Sequence, residues 1–289
     1  MYSEKNGIHL VLFRALRLLI HLAYGVPLSL LCPLLRNARH QRILQHWCRD
    51  LLQILHVQLQ PQGTLPHSMG SPGLIVANHI SWLDVIALSA ATPHYHVAGT
   101  KLRAWPLAGG LVRRIGAWFT KPDSGGDSAP LRGKVSARLR CGESVIWFPE
   151  GVPTPGKLPG HFHSVLMQSA IDCRSPVYPV AIRYHDRYGR QSHAADFVGH
   201  RHGLRSLWRI LRSPELHITL TRLPELPTIG ETRRRLARDA HACISFALAH
   251  PRRNLAPPPD TCTCRDESEP SLYSLMLPGA LHSHISRTR

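Results

Sequence analysis

After Gly73 the chain alternates short apolar runs with longer stretches of helical spacing. The runs fall at residues 74–77, 95–98, 117–120, 144–148, 177–182 and 216–221. Runs of this length, separated by helices, predict an α/β fold with a largely parallel central sheet flanked on both faces by helices. Upstream the pattern changes. Residues 8–35 form the most apolar part of the sequence, interrupted by Arg14, Arg17 and His21 and broken by Pro27 and Pro33. That makes it a poor transmembrane span. On a helix the three polar residues fall at i, i+3 and i+7 and share one face, which suits a helix lying in a membrane interface. A helix packed on the protein's own core is the competing reading.

Arg36, Arg39 and Arg42 follow at once. Cations beside an apolar segment are drawn to an anionic leaflet by roughly 1 kcal/mol each. Ile43, Trp47, Leu51 and Leu55, at four-residue steps, predict a second amphipathic helix over residues 37–59. Residues 61–73 are rich in turn formers and mark the entry to the main domain. The last helix is expected over residues 231–249, ending before Pro251, and the remainder is rich in Pro, Ser and charge and expected to be disordered. The organisation predicted is therefore an N-terminal two-helix membrane-associated segment (1–60), a catalytic domain (61–250) and a disordered tail (251–289).

Composition adds a constraint. The 289 residues are 43% hydrophobic, enough for a sizeable core, and carry 35 Lys and Arg against 18 Asp and Glu, a formal charge of +17. Such an excess calls for an anionic partner: nucleic acid, lipid headgroups or a phosphate-bearing cosubstrate. Charge alone cannot choose among them. The six Trp and six Phe do not interleave with the cations as a base-stacking platform would, so a nucleic-acid partner is not expected. A basic binding module without catalysis stays as the alternative from another class.

Seven Cys without a C-x-x-C pair argue against a disulfide framework or a thiolate zinc site and for a reducing compartment. Cys262 and Cys264, one residue apart, read as free thiols. His pairs such as His94 with His96 and His161 with His163 lack companions at ligand spacing, so no metal is expected. The chain contains no G-x-S-x-G nucleophile elbow, no P-loop and no G-x-G-x-x-G. Covalent serine hydrolysis, nucleotide hydrolysis and hydride transfer thus have no motif.

Two constellations carry chemistry. The run 74–77 leads directly into Asn78-His79-Ile-Ser81-Trp-Leu-Asp84, a strand, a polar turn and a helix start. Ser81 and Asp84 make an S-x-x-D pattern, with Ser81 the predicted cap and Asp84 in the first turn. Neutral imidazole is a good proton acceptor near neutral pH, and a carboxylate on its other nitrogen fixes the tautomer and stabilises the imidazolium. His79 and Asp84 are spaced for that. The second constellation, Phe148-Pro149-Glu150-Gly151, ends another predicted strand. Catalytic groups collect at the carboxyl ends of strands in open α/β sheets.

With these motifs, over residues 72–225, the chain resembles the glycerolipid acyltransferase family, which contains the bacterial and mitochondrial 1-acylglycerol-3-phosphate acyltransferases. The turn 78–84 is similar to the family's first block, residues 101–119 to its second, 148–151 to its third and 177–181 to its fourth. Residues 158–170, with Phe162, His163 and Ser164, look like the segment after the third block. The resemblance implies that His79 is the general base, that Asp84 orients it, and that Glu150 helps organise the acceptor site with Phe148, Pro149 and Gly151. It implies transfer of a fatty acyl group from coenzyme A or acyl carrier protein thioester, as cosubstrate rather than bound cofactor. The acceptor would be the free hydroxyl of a lysolipid, 1-acylglycerol-3-phosphate first and lyso-ornithine lipid as the alternative. The place of action would be the cytoplasmic face of the inner or plasma membrane.

Two departures bear on the acceptor. Pro122 stands where the second block commonly has Arg, and Val152-Pro153 stands where many members have Thr-Arg. Lys121, Arg113 and Arg114 are the cations able to take over a phosphate, as point charges.

Overall fold

The computed structural model describes residues 7–31, 37–62, 72–92, 95–99, 118–120, 129–154, 158–196 and 203–251. Lys121, Arg113, Arg114, Pro122, Cys262, Cys264 and the tail beyond Pro251 lie outside them. The described residues belong to one compact unit, Met1–Ala256.

Helices α1 (Ile8–Leu31) and α2 (Asn37–Ile54) lead into strand β1 (Val57–Gln62). Then come β2 (Leu74–Ala77), α3 (Leu83–Ala91), β3 (Tyr95–Gly99), β4 (Trp118–Thr120), α4 (Ala129–Arg140) and β5 (Val145–Trp147). Helix α5 (Met167–Asp172), β6 (Val177–His185), α6 (Gly203–Arg212), β7 (Leu216–Arg222) and α7 (Arg233–Ala249) are the remaining elements among the described residues. The seven strands form one sheet in the order β1-β7-β6-β2-β5-β3-β4. All neighbours are parallel except β6 and β7.

Where the sequence predicts one long helix over 37–59, the structure has a helix and a strand. The helix stops because His56 takes a left-handed φ of 54°, the usual way to close a helical end. Val57, Gln58, Leu59 and Gln60 alternate apolar and polar, and their strand runs parallel to β7 with Val57 opposite Leu216. The strand lies across the expected domain boundary at residue 60.

Strand alternation splits the core in two. Ile75, Ala77, Ile146, Phe148, Tyr178, Val180, Ile182 and Tyr184 pack into one cluster with apolar residues of α1, α2, α3 and α6. The intervening Leu74, Val76, Val145, Trp147, Val177 and Ala181 are buried as well but outside that cluster, on the side where α4 meets β5 and α7 meets β6. Burial on both faces explains why β2, β5 and β6 read as unbroken apolar runs.

Helix α1 corrects two expectations. Pro27 does not break it; the helix continues to Leu31. Nor does its polar stripe face outward as a unit. Arg14 is buried, and its Nη1 donates to the carbonyls of Leu211 (3.1 Å) and Ser213 (2.8 Å) at the end of α6. Burial also lowers the Arg14 pKa. His21 stacks on Trp47 of α2 at 4.8 Å, with Nε2 3.0 Å from the Trp47 carbonyl oxygen. Arg17 stays exposed, its guanidinium 5.8 Å over the Phe13 ring, beside a set of exposed apolar residues: Leu12, Phe13, Leu16, Leu19, Ile20 and Tyr24. Against the expectation of a poor span, Ile8–Leu28 is also long and apolar enough to cross a membrane by length and composition.

Candidate active site

Strands β2 and β5 are adjacent and parallel, so the turns that follow them open on the same edge of the sheet. The first turn carries His79 and the second carries Glu150. Asn78 fixes the exit from β2 by pairing with β6 like a strand residue: its Nδ2 donates to the Ile182 carbonyl at 3.0 Å and its Oδ1 accepts from the Ile182 N–H at 2.7 Å. The chain then turns sharply into α3.

Asp84, completely buried, organises that turn. Its Oδ2 accepts from the backbone N–H of Ile80 (2.6 Å) and Ser81 (2.8 Å) and lies 2.9 Å from His79 Nδ1. Its Oδ1 accepts from the Tyr184 hydroxyl at 2.5 Å. A buried carboxylate is costly unless its lone pairs are filled, and here four donors fill them in the first turn of a helix, where negative charge is also favoured. The predicted capping pattern is half right. Trp82 occupies the cap position without a side-chain bond, and the Ser81 hydroxyl receives only a long 3.4 Å contact from the Leu83 N–H. The carboxylate reaching back from Asp84 closes the turn instead.

With Nδ1 donating to Asp84, the His79 tautomer leaves Nε2 as the basic nitrogen. The ring stacks on Phe148 at 4.5 Å and 26°, and its side chain stays 16% exposed. It is thus held on one face, oriented at one nitrogen and open to a reactant.

Glu150 is buried and locks the two turns together. Its Oε1 accepts from the His79 backbone N–H at 2.7 Å, and its Oε2 accepts from the Thr154 hydroxyl and the Gly160 N–H, both at 2.7 Å. The Thr154 N–H in turn donates to the His79 carbonyl at 2.8 Å. The carbonyl of Pro149 accepts from His163 at 3.0 Å, which draws the segment 158–163 around the acid. Gly151 has a φ of 71°, a conformation that a side chain would strain. A Cβ on Gly160 would sit 3.1 Å from Glu150 Oε2. Both oxygens of Glu150 are occupied, so in this geometry the carboxylate holds the backbone of His79 in place.

His79, Asp84, Phe148, Pro149, Glu150 and Gly151 therefore come together, while Lys121, Arg113 and Arg114 fall outside the described residues. Sequence reasoning did not single out Tyr184, Thr154 or Gly160 as site residues. Tyr184 had a faint signal: a tyrosine in a fully buried strand needs a partner for its hydroxyl. Burial and the Asp84 charge raise its pKa well above the ordinary value, which keeps the phenol a donor. Thr154 and Gly160 had none, because their roles follow from a loop closing on Glu150.

An acyltransferase-family model matches residues 56–183, the span that contains both turns, β2 to β5 and most of β6. The chain is 35% identical over 208 residues to the lyso-ornithine lipid O-acyltransferase of Pseudomonas aeruginosa, covering 72% of this chain and 79% of the relative. It is 33% identical over 189 residues to the 1-acyl-sn-glycerol-3-phosphate acyltransferase of Neisseria meningitidis, covering 65% and 71%. The crystal structure of the 1-acyl-sn-glycerophosphate acyltransferase PlsC from Thermotoga maritima superposes with a TM-score of 0.62 at 17% identity, over 84% of this chain and 95% of that one; the likeness establishes the fold. The family match and the identity to these relatives define an acyltransferase. The chain belongs to the glycerolipid acyltransferase family and is an O-acyltransferase.

Proposed function

We propose that the chain transfers a fatty acyl group from an acyl thioester to the free hydroxyl of a lysolipid at a membrane surface. The observation that carries this reading is the His79–Asp84 pair, 2.9 Å apart, with Nε2 left open. The acceptor hydroxyl gives its proton to Nε2 as its oxygen attacks the thioester carbonyl. Collapse of the tetrahedral intermediate expels the thiolate, which takes the proton back from the imidazolium. The new bond is the ester, the broken one is C–S, and the base ends neutral. Asp84 stays ionised and stabilises the intervening imidazolium, as in other His–Asp pairs. The step needs no acyl-enzyme, and the thioester of coenzyme A or acyl carrier protein serves as cosubstrate. The cytoplasmic face, where such donors are held, is the proposed place of action.

For the acceptor, 1-acylglycerol-3-phosphate is the first reading and lyso-ornithine lipid the second. One feature favours the second. Between Glu150 and Thr154, beside the base, the turn presents Val152 and Pro153, which cannot neutralise a phosphomonoester of nearly two negative charges. The relative from Pseudomonas aeruginosa points the same way. Comparing kcat/KM for the two lysolipids decides: a preference of about tenfold, or 1.4 kcal/mol, for the phosphate-free acceptor fits the apolar turn. An equal preference for the phosphate would assign the missing charge to Lys121, and Lys121→Ala should then raise KM for the phosphate acceptor alone. Transfer to neither, with intact protein and both donors, would end the lysolipid reading.

A further inference from the structure

Helix α6 lies outside the active site, and nothing in the proposed chemistry uses it. Its sequence, GLRSLWRILR, places three arginines and no acid on ten residues. Its inner arc is ordinary core: Ser206, Ile210 and Leu211 are buried against the sheet and α1. The outer arc is not ordinary. Leu204 is 82% and Trp208 43% exposed, one helical turn apart on a single stripe. Arg205 and Arg209 run along one side of that stripe, and the Arg212 guanidinium lies 5.7 Å above the Trp208 ring. Arg209 is anchored through Nη2 to the Asp196 carbonyl. Among the described residues no carboxylate forms an ion pair with any of the three arginines.

We propose that α6 is a second membrane-contacting element, which lays Leu204 and Trp208 into an anionic lipid leaflet; the proposal rests on the membrane-surface reading above. Two observations select this occupant. The first is charge: the apolar stripe is bordered along one side by three cations, the pattern of an interfacial helix whose arginine stems lie along acyl chains while their heads reach phosphates. A second copy of the chain would bring arginines against arginines. Trp208 is moreover the side chain whose amphipathic ring settles at the headgroup level. The second is continuity. Arg14 of α1 is bonded to the Leu211 and Ser213 carbonyls, so the end of α6 is fastened to the helix whose exposed residues are Leu12, Phe13, Leu16 and Leu19. A leaflet that takes up α1 meets α6 on the same body.

The test uses the full chain and vesicle flotation, with vesicles of phosphatidylcholine alone and of phosphatidylcholine with phosphatidylglycerol. The variants are Leu204→Ser/Trp208→Ser and Arg205→Gln/Arg212→Gln. Removing two partly inserted apolar side chains should cut the partition coefficient by about tenfold on both vesicles. Removing the two charges should cut it by several-fold on the phosphatidylglycerol vesicles and leave phosphatidylcholine binding unchanged. Thermal unfolding and turnover with short-chain, water-soluble substrates should stay at wild-type levels, because all four side chains lie on the outer arc. If wild type floats and both variants float equally well, α6 is not a contact element, although the membrane reading stands. If wild type itself does not float, both readings fall together. A shift from dimer to monomer in the Leu204→Ser/Trp208→Ser variant without lipid would assign the stripe to a second copy instead and overturn the proposal.

Discussion

Around His79 two buried carboxylates are each held by several donors, Asp84 by His79, Ile80, Ser81 and Tyr184, Glu150 by His79, Thr154 and Gly160. Along the outer face of α1, Leu12, Phe13, Leu16, Leu19 and Ile20 stand in solvent without apolar cover. The first region is complete in itself: its charges are desolvated, but every step of its geometry is fixed by a short bond within the chain. The second is complete only against something else, since exposed apolar patches on this scale mark interaction surfaces. Chemistry and location are therefore separable in this molecule. Substitutions in the first region should change turnover without changing where the protein goes, and substitutions in the second should do the reverse.

The largest effect that can break the comparison is loss of the base. His79→Ala should reduce turnover by about 10² to 10⁴, the usual worth of a positioned general base, with vesicle flotation unchanged. A stable acyl adduct trapped on any Ser or Cys would replace direct attack by a covalent route. Asp84→Asn comes next, and its damage should be double. An amide cannot stabilise the imidazolium, and its NH2 either opposes the Ile80 and Ser81 N–H groups or deprives the Tyr184 O–H of its acceptor. Leaving such buried groups unpaired costs about 1 to 3 kcal/mol each, so the variant should lose melting temperature as well as turnover. Near-normal turnover in Asp84→Asn would reduce Asp84 to a helix-start residue.

The sequence made the paired base and the strand-ending acid legible because each depends on spacing within one segment. His79 and Asp84 are five residues apart across a single turn, and the runs 74–77 and 145–147 that aim them are buried on both faces, so they read as strands without ambiguity. What spacing cannot show is contact between segments. The Tyr184–Asp84 bond spans a hundred residues, and the inward turn of Arg14 depends on carbonyls almost two hundred residues away. The same blindness hid β1: Leu59 continues the four-residue apolar steps of α2 as well as it alternates with Val57 in a strand, and only pairing with β7 separates the two. On α1 the stripe Arg14, Arg17 and His21 is visible, but which way it faces is set by the partners it finds.

Tyr184→Phe sharpens the comparison from inside the site. The ring stays and the hydroxyl goes, leaving Asp84 Oδ1 without its donor while Oδ2 still orients His79. Turnover should fall by about tenfold or less, in kcat rather than in the acceptor KM, and stability by about 1 to 3 kcal/mol. A pH signature separates this role from packing. Because the folded state raises the Tyr184 pKa, the unfolded chain ionises first above pH of about 10, and stability should decline there as pH rises. Below that pH both states keep the proton and nothing is lost. Urea midpoints should show this alkaline decline for wild type, and Tyr184→Phe should flatten the part that belongs to the phenol.

The smallest expected effect is that of salt on vesicle binding, and it discriminates because the two surfaces differ in kind. Raising ionic strength from about 0.1 M to 1 M shortens the screening length from about 10 Å to 3 Å, which removes most of the attraction between arginines and an anionic leaflet. Apolar burial is untouched by that screening. Since the outer face of α1 is mainly leucine, isoleucine and phenylalanine, with Arg17 the member of the polar stripe left exposed, flotation of wild type should weaken by only a few-fold. Leu12→Ser/Leu16→Ser/Leu19→Ser removes apolar area at exposed positions, and what binding remains should come from cations with Leu204 and Trp208 of α6, so high salt should weaken it by a larger factor than it weakens wild type. Should wild type instead lose all binding in high salt, charge would be the whole of the attraction. The exposed face of α1 would then be covered by protein, not by lipid.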